Sequence, residues 1–88
     1  MPQDAEKVIE QIARRIGELR ERAGLTQVEV AERLDTGVSN YQRIEHGLQN
    51  LTIRTMVRIA STLGVPVEAF FEAPKARGTK RGRGRRPA

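Results

Sequence analysis

Residues 24–47 read GLTQVEVAERLDTGVSNYQRIEHG, and the rest of the chain is organised around this stretch. Thr26-Gln27-Val28-Glu29 is a capping box. The threonine hydroxyl and the glutamate carboxylate three residues on can each satisfy a backbone N–H that the first helical turn leaves unpaired. Val30, Ala31 and Leu34 recur at helical spacing, so the box predicts a short helix over residues 26–34 with those three inward. Asp35-Thr36-Gly37 carries turn chemistry. A second short helix is expected over residues 38–46, burying Tyr41 and Ile44 and stopped by Gly47.

Working toward the amino terminus, Ala5, Val8, Ile9, Ile12, Ala13, Ile16 and Leu19 repeat at steps of three and four. They predict an amphipathic helix of about five turns, opened by Asp4 as cap and closed at Gly24. In the other direction, Thr52 caps a helix bearing Ile53, Met56, Val57, Ile59, Ala60 and Leu63, which Gly64 stops. Pro66 suits the start of a last turn or two holding Val67, Phe70 and Phe71. No stretch alternates apolar and polar residues as a strand would. The expected fold is all-α, a five-helix bundle over residues 1–73. Residues 74–88 hold mostly Gly, Arg, Lys, Thr and Pro, which build no core, and are expected to be a disordered Arg/Gly-rich basic tail.

The 88 residues carry a formal net charge of +5. Lys75, Arg77, Lys80, Arg81, Arg83, Arg85 and Arg86 account for the whole excess, leaving nine basic groups against eleven acidic ones before them. Basicity therefore speaks for a polyanion-binding tail and says nothing about the folded part. With no cysteine, neither a disulfide framework nor a thiolate metal site is available, which fits a reducing compartment. The acidic, apolar-poor start is no signal peptide, and no apolar run is long enough to span a bilayer, so a soluble, cytoplasmic protein is expected. His46 is the only histidine and has neither ligand partners nor a nucleophile at working spacing, so no metal, no cofactor and no enzymatic activity are expected. A domain this small gains by pairing with a second copy. The adjacent aromatics point to the C-terminal helices as the homodimer contact, with Leu63, Val65, Phe70 and Phe71 near it.

Two short capped helices joined by a turn of three or four residues make a helix-turn-helix. Here the segment resembles the phage-repressor family of the lambda repressor and Cro (XRE) type. The matching residues are Gly24-Leu25-Thr26-Gln27, Ala31-Glu32-Arg33-Leu34, Arg43-Ile44-Glu45-His46-Gly47 and Leu63-Gly64-Val65. The likeness covers roughly residues 8–71, with no gap between Leu25 and Gly47. It implies a lambda-repressor-like domain and a sequence-specific, DNA-binding transcriptional regulator that lays helix 38–46 in the major groove. Carried onto this chain, Val38, Ser39 and Arg43 would face base edges, Arg43 by bidentate hydrogen bonds to guanine. Gln27 would hold a phosphate at its helix start. Asn40, His46, Gln49, Asn50 and Arg54 would make the flanking backbone contacts that set register. Arg20 and Glu45 match the family's interior ion pair.

Three positions depart from the family pattern. Asp35 stands where the turn usually has Gly, Gly37 where the second helix usually has a Ser or Thr cap, and Tyr41 where an aliphatic residue is usual. Asp tolerates left-handed backbone and Gly is an acceptable cap. The Tyr41 hydroxyl is expected to reach water, a phosphate or a backbone carbonyl.

Blander readings stand beside these: Arg43 as a solvated surface arginine, Arg20–Glu45 as a rim salt bridge, Ser39 and Asn40 as polar helix surface. In the tail, Lys80, Arg81, Arg83, Arg85 and Arg86 resemble the AT-hook, which threads arginines into narrow A·T minor grooves. Arg85-Arg86-Pro87 breaks its Gly-Arg-Pro centre, and a flexible cationic arm explains the same residues. The rival functions are a helix-turn-helix held mainly for protein interaction, as an antitoxin or complex subunit, and an RNA-binding protein led by the tail.

Overall fold

The computed structural model describes residues 4–73. In chain order it contains α1 (Ala5–Arg22), α2 (Gln27–Arg33), α3 (Val38–Glu45), α4 (Ile53–Leu63) and a C-terminal 3-10 turn (Val67–Phe71). There are thus four α-helices among the described residues, and the expected fifth is a 3-10 turn. Its bonds run from Ala69 N–H to the Pro66 carbonyl and from Glu72 N–H to the Ala69 carbonyl. Only seven residues separate Pro66 from Pro74, too few to repay the cost of nucleating an α-helix, and a tight i→i+3 turn results. The expected tail, residues 74–88, lies outside the described residues.

The helix starts follow their caps. Asp4 accepts the Glu6 N–H at 2.9 Å, and Thr52 accepts the Thr55 N–H at 3.0 Å. At Thr26 both halves of the capping box form, at 3.0 and 2.8 Å. At the other end of α4, Gly64 closes the helix with φ 74°, backbone that costs a Cβ-bearing residue dearly.

One core joins all the elements: Ile16 and Leu19 of α1, Val30, Ala31 and Leu34 after it, Tyr41 and Ile44 of α3, and Met56, Ile59, Ala60 and Leu63 of α4 with Phe70. Tyr41, Ile16, Val30 and Ile59 are wholly buried. The apolar stripe of α1 outruns this core, leaving Ala5 exposed and Val8, Ile9 and Ile12 only partly covered. Leu63 and Phe70, expected near a dimer contact, are instead buried within the single chain, while Phe71 is 58% exposed. Ile53 and Val57, one turn apart on α4, are exposed as well.

Arg15 is the most deeply buried charged residue among the described residues, 3% exposed. Its guanidinium donates to the Ala69 carbonyl at 2.9 Å and pairs with Glu18 at 3.1 Å and with Glu72. A partner for each of its three nitrogens, two of them carboxylates, is what makes a buried guanidinium tolerable, and the result is a clamp between α1 and the C-terminal turn. Position 15 lies three residues after Ile12 and four before Leu19, so an arginine there interrupts the apolar stripe; that interruption was the available signal. No helix among the described residues is long and apolar enough to cross a membrane.

Candidate nucleic-acid interface

The joint between α2 and α3 is set by its backbone. Leu34 closes α2, Asp35 adopts φ 58°, and the Thr36 N–H returns to the Ala31 carbonyl at 2.9 Å. Asp35 thus occupies the left-handed position that a glycine would take without strain. Gly37 then caps α3 with extended backbone and no side-chain hydrogen bond. Arg58, reaching across from α4, donates to the Leu34 carbonyl at 2.9 Å and satisfies an acceptor that the end of α2 leaves open.

The angle between the helices is held by Glu45. Its carboxylate accepts from Arg20 Nε at 2.6 Å, Arg20 Nη2 at 3.2 Å and Gln27 Nε2 at 3.0 Å, and from the Tyr41 hydroxyl one turn back. Arg20 also donates through Nη1 to the Leu25 carbonyl at 2.8 Å. The expected ion pair exists and is interior, with side chains 12% and 8% exposed. The Tyr41 hydroxyl finds a carboxylate in place of the water, phosphate or carbonyl expected of it, because residues four apart on a helix are neighbours. Gly17 belongs to the same site: a Cβ there would stand 3.3 Å from Glu45 Oε1. Burial pushes the Glu45 carboxyl upward, and the donors on Arg20, Tyr41 and Gln27 overcome this to hold it below the usual carboxylate range. Burial also raises the Tyr41 phenol far above its ordinary value, reinforced by the Glu45 carboxylate.

Gln27, expected on a phosphate, has both ends of its amide engaged within the protein. A carboxylate only accepts, so the amide nitrogen faces Glu45, and the amide oxygen accepts from Gln42 Nε2 at 3.1 Å. One amide hydrogen remains. Gln42, which sequence reasoning passed over, is exposed and stands on the outer face of α3 with Ser39, Arg43 and His46, at the three- and four-residue steps that mark one side of a helix. Val38 lies at the edge of that face, partly buried and packed against the core.

Asn40 is turned toward the α3–α4 loop. Its Oδ1 accepts from Gln49 Nε2 at 2.6 Å, and its Nδ2 donates to Thr36 Oγ1 at 2.9 Å. Only the loop geometry brings Gln49 to it, nine residues away. Asn50 and Arg54 are exposed, and the guanidinium groups of Arg43 and Arg54 engage no partner among the described residues. Glu45 is the only acid between residues 38 and 50, and it faces inward. The exposed residues of α3 are therefore polar or cationic, on a domain whose described residues are net negative. Among those residues no group of side chains is placed to hold a metal ion. The tail cations Lys80, Arg81, Arg83, Arg85 and Arg86 lie outside the described residues.

A family model described as helix-turn-helix matches residues 16–70, from the second half of α1 to the C-terminal turn. No curated protein matches the chain.

Proposed function

Since the chain belongs to the helix-turn-helix family of the lambda-repressor type, a family of DNA-binding regulators, we propose that it is a sequence-specific transcriptional regulator reading the major groove with α3. The observation that carries this is the acid-free outer face of α3, where Ser39, Gln42, Arg43 and His46 point away from the core while Glu45 is folded inward. DNA rewards such segregation, because a phosphate beside an exposed carboxylate would be repelled. Ser39 and Arg43 meet base edges; Asn40, Gln49, Asn50 and Arg54 flank them toward the sugar–phosphate backbone. Gln27 acts through Gln42, positioning it on the groove face.

The protein binds as a homodimer on a near-palindromic site, since two-fold symmetry doubles a short contact. Phe71, with Ile53 and Val57, is the exposed apolar surface of the C-terminal elements and serves as the contact. Selection of bound sequences from a random duplex pool tests the reading: one enriched, two-fold motif is expected, and enrichment no better than for random DNA, or stronger binding to RNA, overturns it. Sedimentation of the DNA-bound form as a monomer overturns the dimer.

A further inference from the structure

We propose that a cleft between the N-terminal half of α1 and the α3–α4 loop binds a short branched aliphatic molecule carrying an uncharged hydrogen-bonding group, an alcohol or a primary amide. The cleft holds about 90 Å³. Ile9 and Ile12 of α1, Ile44 of α3, Met56 of α4 and the loop's Leu51 give it apolar walls. An apolar cavity of about 150 Å³ takes up benzene, so the present cleft suits a smaller body of isobutyl size.

The occupant's polar end follows from the remaining wall. Half-buried Gln49 and exposed Asn50 complete the lining, and the Asn50 amide has no hydrogen bond among the described residues. An amide both donates and accepts, so it pairs with an alcohol or another amide. No Lys, Arg, Asp or Glu lines the cleft, so a carboxylate or ammonium group would enter without a counter-charge. These amides also favour a polar-ended molecule over the bare apolar side chain of a second copy.

Gln49 connects the cleft to the reading helix, because its amide nitrogen is the group that holds Asn40 at 2.6 Å. A ligand that engages Gln49 competes with that bond and loosens Asn40 from the loop. Ligand and DNA then change each other's affinity by one common factor.

The test is a titration of the full-length protein with isobutyramide, followed by NMR of the side-chain methyl and amide groups. Saturable shifts confined to Ile9, Ile12, Ile44, Leu51 and Met56 and to the amides of Gln49, Asn50 and Asn40 are expected, with a millimolar dissociation constant. Acetamide, lacking two carbons, should bind about tenfold more weakly. Leu51→Phe should fill the cleft and abolish the shifts. Asn50→Ala, at an exposed position outside the core, should weaken binding several-fold without altering the melting temperature. Shifts that never saturate, spread over the whole domain, or persist unchanged in both variants overturn the site. Cleft resonances that move with protein concentration alone would assign the cleft to a second copy and overturn it equally. The readout needs no DNA, so it fails or succeeds independently of the regulator reading.

Discussion

Replacing Arg20 by Met removes two hydrogen bonds to Glu45 and one to the Leu25 carbonyl at once. Breaking a buried pair leaves an uncompensated charge and typically costs about 3–5 kcal/mol. Glu45 keeps Gln27 and Tyr41 as donors, so the expected loss lies near the lower end, about 3 kcal/mol, read from chemical denaturation. The same carboxylate sets the acid limit of the fold. Its folded-state pKa is depressed, so its contribution is fully present above the ordinary carboxyl value near 4.5 and is lost as pH falls through the lower folded value. Tyr41 acts in the opposite sense. Its folded-state pKa is raised, so its contribution is fully present below the ordinary phenol value near 10 and declines as pH rises beyond it. The melting temperature should therefore be flat across neutrality and fall at both ends, and Tyr41→Phe should remove most of the alkaline decline. Arg43 has no such structural duty. Arg43→Ala should leave the melting temperature unchanged and cost about 1–3 kcal/mol of discrimination at one base pair per half-site, measured by binding to single-substituted operators. Equal loss on random DNA would assign Arg43 to a phosphate.

For the α2–turn–α3 element the question is how two short helices keep one angle with an unfavourable residue between them. Asp35 holds φ 58°, and Gly37 supplies no capping oxygen, so the turn carries two local weaknesses. Glu45, Arg20 and Gln27 compensate from outside it, tying α1, α2 and α3 to one carboxylate. Nothing lies within 4 Å of a Cβ built on Gly37, and its backbone suits any residue. Gly37→Ser should accordingly stabilise the protein by a few tenths of a kcal/mol, by capping α3. Asp35→Gly should relieve the left-handed strain and add up to about 1 kcal/mol. The sites are two residues apart, so the double variant tests whether the gains add, by thermal melts of all four forms. A fall in stability for Asp35→Gly would mean that the aspartate side chain itself stabilises the turn.

At the scale of the whole molecule, charge is divided between residues 1–74, net negative, and residues 75–88, which hold seven cations and are the expected tail. If the tail is a DNA arm, removing residues 75–88 should weaken binding to every duplex while leaving sequence preference intact. Each phosphate neutralised contributes about 0.9 to the slope of log affinity against log salt, so full engagement would change the slope by about 6 and partial engagement by less. The loss should be greatest where A·T tracts flank the site, because a narrow minor groove concentrates negative potential. An unchanged affinity and slope would show that the tail is no arm, whereas a loss indifferent to flanking sequence would keep the arm and discard the groove.

The sequence by itself determined the helix starts, the turn between α2 and α3 and the family, because caps, glycines and three-to-four-residue periodicity act through neighbours along the chain. It also marked Arg20 and Glu45 as partners, though only through likeness to a family. Only the tertiary structure decided which apolar residues of the C-terminal elements are covered: Leu63 and Phe70 went inside, while Ile53, Val57 and Phe71 stayed out. It alone bound Gln27 to Gln42, Asn40 to Gln49, and Arg15 to the Ala69 carbonyl and Glu72. The physical reason is range. A cap is completed within three residues, whereas these contacts span from 9 to 57 residues and depend on how the helices pack together.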